Sequence, residues 1–197
     1  MPDPTVPKPS PSGSMLATPT ITPGHDAEAV AAKDLPLSAG GTLAPGDPVT
    51  VSSRLEEVPG WSAVHSGLQG ETRYKKTDGC LAAFRVSVNQ GPLVVPGDDA
   101  ASTKELFKYL DATIPLGNLL PTKLRWGQDS EESVHSVEFL TLRSTASGGH
   151  GRSAEMMARV FSSPASSVFV SVACPNEETL GAARAEVHAR LVVVPPA

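Results

Sequence analysis

The sequence predicts an α+β fold: an antiparallel sheet with two helices packed on it. Most segments of the folded part alternate apolar and polar residues with the two-residue period of a half-buried strand. Two segments instead space their apolar residues as a helix does, each behind a residue that can cap a helix. Short turns rich in Gly, Pro and Asp join successive strands, which favours antiparallel pairing.

The chain divides by composition near residue 48. Residues 1–48 are rich in Pro, Ser, Thr, Gly and Ala, and their few apolar residues form no amphipathic face. Such a segment cannot bury enough surface to offset the entropy of ordering it. The sequence therefore predicts a disordered tether over 1–48 and a single α+β domain over 49–197.

The first half of the domain carries strands and one helix. The strand patterns cover 49–55, a segment opening at Trp61, the polar and edge-like stretch 71–76, and 81–90. A Pro/Gly loop leads to the first helix. Ser102 and Glu105 there have capping-box spacing, with Asp98 and Asp99 as rival caps one turn earlier. The apolar stripe of this helix consists of Leu106, Phe107, Leu110 and Ile114, and Pro115 ends it.

The second half predicts four strands and a closing helix. The strands cover 122–126, 134–143, 154–162 and 166–174. Asn176 is placed to cap the helix, and Glu177 and Glu178 suit the positive end of its dipole. Its buried face is expected to carry Leu180, Ala183, Val187 and Leu191. The apolar residues 192–194 suit either the end of this helix or a strand.

Cys80 and Cys174 are the only cysteines, and each lies on the apolar face of a predicted strand. Two isolated, half-buried cysteines favour one structural disulfide in an exported domain. The alternative is a pair of buried free thiols that pack as small apolar side chains. We predict neighbouring strands and a Cα separation of about 4.4–6.8 Å. Neither cysteine has the CxxC partner or neighbouring histidine that activates a catalytic thiol.

Composition and motifs exclude several classes of protein. A net charge of −5 and 5% aromatic residues argue against nucleic-acid binding and against a polybasic membrane surface. No apolar run approaches the roughly 20 residues of a transmembrane helix. The histidines lack zinc-ligand spacing, residues 129–132 lack the pattern of a calcium loop, and no GxSxG is present. The sequence predicts no catalytic residue, metal or cofactor.

A ligand site is expected between the loops 91–99, 126–132 and 148–152, because long Gly/Pro-rich loops on a rigid sheet usually carry function. Trp126 would supply apolar area and Arg152 an anion contact, with His150 in the same loop as Arg152. Trp126 could equally anchor the core. For His150, a mobile loop tip without a ligand is the alternative.

The layout resembles the small exported lipoproteins of actinobacteria of the LpqN type, and it is similar in element order to the PsbP-like fold. The shared features are the Pro-rich tether, the entry at Pro59-Gly60-Trp61, the strand from Cys80, the helix after Asp98-Asp99 and the closing helix after Cys174-Pro175-Asn176. The resemblance implies a PsbP-like sandwich in the cell envelope. The lipobox cysteine of these lipoproteins is absent from this chain, and no signal peptide follows Met1.

These observations predict an exported or lipid-tethered, extracytoplasmic protein that is not an enzyme. Its export signal or lipid anchor would be encoded upstream of Met1. It would bind an envelope protein or a small ligand on the sheet or in a cleft beside the first helix. The alternatives are a hydrolase whose site is assembled from distant residues and a cytoplasmic assembly factor.

Overall fold

The computed structural model describes residues 30–39, 43, 45–64, 70–128, 135–145 and 151–196. These residues contain nine strands and two α-helices that are described over their whole length. The strands are β1 (Thr50–Ser53), β2 (Trp61–Val64), β3 (Glu71–Lys76), β4 (Leu81–Ser87), β5 (Leu120–Trp126), β6 (His135–Ser144), β7 (Ser153–Phe161), β8 (Ser166–Cys174) and β9 (Leu191–Val194). The helices are α1 (Asp99–Leu110) and α2 (Glu177–Arg190).

The strands form one mixed sheet in the order β1-β9-β5-β6-β7-β8-β4-β3-β2, which curls into a half-barrel. The predicted antiparallel sheet with two helices packed on it, the PsbP-like sandwich, is therefore wrong. The reason lies in Leu191–Val194, which leaves α2 as a strand and enters the sheet between β1 and β5. This strand is antiparallel to β1 and parallel to β5, whereas the other strand pairs are antiparallel.

The two helices lie on opposite faces of the sheet, because they pack against alternate residues of the same strands. Helix α1 contributes Leu106 and Phe107 to a cluster with Ala158 of β7. Helix α2 packs on the face that carries Met157. The sheet curls around α2, since this helix is bonded near both sheet edges. Trp61 Nε1 donates to Glu186 Oε2 (2.7 Å), and Arg125 Nη1 donates to the Ala189 carbonyl (3.1 Å).

Several local predictions agree with the structure. β3 and β8 have the predicted bounds, and the Asn176 side chain caps α2 by accepting from the Thr179 N–H (2.9 Å). Strand β3 is not the edge strand, because β2 lies beyond it. The preferred cap of α1 is wrong: Asp98 caps the helix by accepting from the Ala101 N–H (2.8 Å). The buried Ser102 hydroxyl is occupied elsewhere, with the backbone of Val95 and Asp98.

The predicted disulfide between Cys80 and Cys174 is confirmed. Leu81 of β4 pairs with Ala173 of β8, so the two cysteines face each other at the end of neighbouring strands. Their Cα atoms are 4.2 Å apart, slightly closer than predicted, and both side chains are fully buried. The two-residue period thus located both cysteines on the core face correctly.

Residues 30–39 lie in the stretch assigned to the tether, and the structure packs them on the domain. Leu35, Leu37 and Leu43 are buried. The Leu35 N–H donates to the Ser136 carbonyl (2.8 Å), and the Leu35 carbonyl accepts from the Glu138 N–H (3.0 Å), so this segment borders β6. Residues 1–29 lie outside the described residues, and the tether stays a prediction there.

A buried ion pair connects this N-terminal segment to α1 and β7. Arg159 Nη2 lies 2.6 Å from Asp99 Oδ2, and Arg159 Nη1 donates to the carbonyls of Leu35 (2.8 Å) and Glu138 (3.1 Å). Asp99 Oδ1 accepts from the N–H and the hydroxyl of Ser162 (2.9 and 2.7 Å). Burial lowers the pKa of Arg159 although the Asp99 charge opposes the shift. The pair therefore joins four separate stretches of chain in the interior: the N-terminal segment, α1, β6 and β7.

Candidate functional site

Trp126 occupies the core. Its side chain is fully buried, its ring stacks on Phe161 with 6.4 Å between centroids, and its Nε1 donates to the Val30 carbonyl (3.1 Å). The core alternative for this tryptophan is thus what the structure shows, and its indole lines no open cleft.

Arg152 is exposed and lies far from Trp126. Its guanidinium donates to the carbonyl of Gly79, beside the disulfide. Trp126 pairs with His135 at the start of β6, whereas β7 begins beside the end of β6. A strand of ten residues spans roughly 30 Å.

The structure does not bring loop 91–99 and Arg152 together, because loop 91–99 follows β4 at one end of the sheet and Arg152 precedes β7 at the other. His150 and residues 129–132 lie outside the described residues. Ligand contacts by Arg152 and His150 stay predictions.

A groove of about 670 Å³ lies beside α1, and we name it the α1 groove. Its floor is the outer face of the sheet, the side on which β4 carries Ala83 and Arg85 and β8 carries Phe169. Ala83 and Arg85 alternate along β4 with the core residues Ala82 and Phe84, as the strand period requires. The wall is one side of α1, where three residues at helical spacing point together: Leu106, Tyr109 and Leu110.

Exposed apolar side chains collect on this face. Seven large apolar side chains are exposed in the described part of the chain, and Val88, Tyr109 and Leu110 line the α1 groove. A second depression of about 340 Å³ adjoins it on the same sheet face, and Val64 and Leu81 line that one. Five of the seven therefore lie in two adjoining depressions and are not scattered over the surface.

The charges of the groove are not all paired. Glu71 is held by Arg73 through two hydrogen bonds of 2.7 and 3.1 Å. Arg85 lies directly across from Glu71 in the β3–β4 register and lines the groove. Among the described residues, the Arg85 side chain makes no hydrogen bond or ion pair. The α1 groove thus combines apolar walls with one cation whose charge is not neutralised.

Sequence reasoning expected a ligand on the sheet or in a cleft beside the first helix, but it named none of the residues of this groove, although a signal existed. Leu81 and Ala83 are apolar, and they alternate with Ala82 and Phe84, which the strand period assigns to the core. A strand that is apolar on both faces indicates that its second face is also covered. In the structure the second face of β4 is left open beside α1, which explains the exposed Leu81 and Leu110.

A second group of titratable side chains surrounds the buried Glu155. Arg143 Nε lies 3.0 Å from Oε1, Arg184 Nε lies 3.0 Å from Oε2, and His188 Nε2 lies 3.8 Å from Oε2. The Thr141 hydroxyl donates to Oε1 (3.1 Å). Burial by itself would raise the pKa of Glu155, but the nearby imidazole and the two guanidiniums outweigh it and lower that pKa. As an ionised carboxylate, Glu155 therefore holds α2 against the sheet through Arg184 and His188.

Acid is expected to weaken the protein through Glu155. A folded-state pKa below the ordinary value stabilises the fold above about pH 4.3, and this stabilisation is lost as the pH falls through the folded-state value. Glu155→Gln should cost about 1–3 kcal/mol at pH 7 and flatten the decline of stability below about pH 4. Urea unfolding between about pH 7 and about pH 2.5 measures both effects, because carboxylates change from ionised to protonated within this range.

The exposed Glu57 is the matched control for this prediction, since it lies 3.6 Å from Arg190 at the surface. Glu57→Gln should change stability by less than about 1 kcal/mol and leave the pH profile parallel to that of the wild type. A Glu155→Gln profile parallel to the wild type would contradict the assignment.

The described ranges contain no cluster of three or more His, Cys, Asp or Glu side chains that could hold a metal ion. Within the same ranges, no helix is long and apolar enough to cross a membrane. Comparison with known proteins adds no relative: no family model matches the chain, and no curated protein does.

Proposed function

We propose that this protein is an exported or lipid-tethered domain of the bacterial envelope that binds a small apolar ligand in the α1 groove and performs no catalysis. The observation that carries the proposal is the concentration of exposed apolar side chains in the groove and its neighbour, with Val88, Tyr109 and Leu110 in the first. Single exposed apolar residues are common, but a contiguous group on one face indicates a binding surface.

The disulfide supports the location. Disulfides form and persist in oxidising compartments and are rare in the cytosol. Cys80 and Cys174 are paired and fully buried, so the bond belongs to the folded core. The envelope assignment also draws on the resemblance in layout to LpqN-type lipoproteins.

The dimensions of the groove favour a small ligand over a protein partner. Ligand sites commonly enclose about 300–1,000 Å³, and the α1 groove has about 670 Å³. A stable protein partner would need a patch of about 800 Å² on each side. A pre-formed concave site with apolar walls therefore fits a small molecule best.

Nile red, a neutral dye that fluoresces in apolar surroundings, tests the groove. We expect the full-length protein to bind it, and Leu110→Gln to weaken binding roughly three- to tenfold through lost apolar contact. Leu120→Gln is the matched control, because Leu120 is also an exposed leucine and lies on β5 outside the groove.

Both leucines are at least 48% exposed, so neither change should move the melting temperature much. Equal loss of dye binding in the two variants would show that the dye binds elsewhere. Absence of dye binding by the wild type would remove the proposed function of this groove.

A further inference from the structure

We propose that the ligand of the α1 groove is a single-chain anionic amphiphile, of the fatty-acid type, whose carboxylate pairs with Arg85. This inference rests on the proposed binding function of the groove and names the chemistry of its occupant. The juxtaposition that carries it is an unpaired guanidinium on the groove floor, facing the apolar side chains of α1.

The register of the sheet explains why Arg85 lacks a partner. On β4 it lies between Glu71 of β3 and Phe169 of β8. The carboxylate across the strand is the natural partner, but both of its oxygens accept from Arg73. Arg73 lines the second depression and not the α1 groove. Within the α1 groove, Arg85 is therefore the charge available to a ligand.

The head group follows from this single cation. A guanidinium binds a carboxylate through two parallel hydrogen bonds, and one carboxylate carries the one negative charge that balances one arginine. A phosphate monoester carries about −1.5 to −2 charges at neutral pH, which would exceed the charge of Arg85. We therefore assign a carboxylate head.

The apolar part follows from the surroundings of Arg85. Phe169, Leu106 and Leu110 line the same groove, and they can bury a hydrocarbon chain. Four residues along β4, Leu81 lines the adjoining depression, which shares Glu71 and Ala83 with the first. Four strand residues span about 13 Å, so the open face offers a continuous path for an extended chain.

Calorimetry with two probes of equal chain length tests the head group on the full-length protein. Decanoate, kept below its micelle concentration, should bind more tightly than the neutral 1-decanol. Arg85→Gln should weaken decanoate binding roughly three- to tenfold, the range of a partly exposed ion pair, and leave 1-decanol binding unchanged. Lys75→Gln is the matched control, because Lys75 is an exposed cation on the same sheet face outside both depressions.

The outcomes separate this inference from the proposed function. Equal binding of decanoate and 1-decanol, with no effect of Arg85→Gln, would leave an apolar binding groove and overturn the anionic ligand. Equal losses of decanoate in Arg85→Gln and Lys75→Gln would reduce the preference to general surface charge and overturn the assignment of Arg85. Binding of an acidic peptide in place of decanoate would also overturn it. Failure of both probes to bind would count against the groove itself.

Discussion

Arg159→Met is expected to lower the free energy of unfolding by about 3–5 kcal/mol, because it leaves the buried Asp99 carboxylate without its counter-charge. Methionine fills a similar volume, but it offers no donor to the carbonyls of Leu35 and Glu138, which accept from Arg159 in the folded protein. Since whole domains are stable by about 5–15 kcal/mol, this one change removes a large share. Urea unfolding at about pH 7 measures this loss of free energy of unfolding.

Arg190 provides the control, because its guanidinium is 3.6 Å from Glu57 at the surface. Arg190→Met should cost less than about 1 kcal/mol. The double variant Asp99→Asn with Arg159→Met should lose less than the sum of the single losses, since the two side chains share one interaction. Strict additivity would show that Asp99 and Arg159 are not coupled, contrary to their 2.6 Å contact.

Removal of the disulfide is expected to cost about 4–5 kcal/mol. The bond closes a loop of 94 residues, which restricts the unfolded chain more than the folded one. The double variant Cys80→Ala, Cys174→Ala should therefore unfold at a much lower urea concentration. Losing a native disulfide often prevents folding at about 37 °C, so at that temperature this variant should lie closer to its unfolding transition than the wild type does.

Chemical reduction of the Cys80–Cys174 disulfide provides the control for this loss of stability. Dithiothreitol should destabilise the wild type to the level of the double variant and leave the double variant unchanged. A loss below about 1 kcal/mol would show that the denatured chain is already compact around residues 80 and 174, so that the bridge restricts little.

The features that short-range patterns encode were predictable from the sequence. The bounds of β3 and β8 and the Asn176 cap depend on neighbouring residues alone. The disulfide was predictable because each cysteine shares the apolar side of its own strand. Strand period and capping chemistry act over a few residues, so no distant contact was needed to read them.

The fold class was not predictable, because it depends on where Leu191–Val194 pairs. This apolar run suits a helix end or a strand, and its partners β1 and β5 are distant in sequence. Only the assembled sheet offers both partners at once. The start of α1 at Asp99 was not predictable for the same reason, because Asp99 contacts Arg159, which is sixty residues away in the sequence.

The candidate site divides along the same line. The sequence by itself determined the strand faces, the Asn176 cap, the disulfide and an expectation of a ligand on the sheet or in a cleft beside the first helix. Tertiary structure alone decided that Trp126 is buried, that Arg159 and Glu155 find counter-charges inside, and that the outer face of β4 stays open beside Arg85. The physical reason is that periodicity assigns a side chain to a face, whereas burial, pairing and exposure depend on which distant element covers that face.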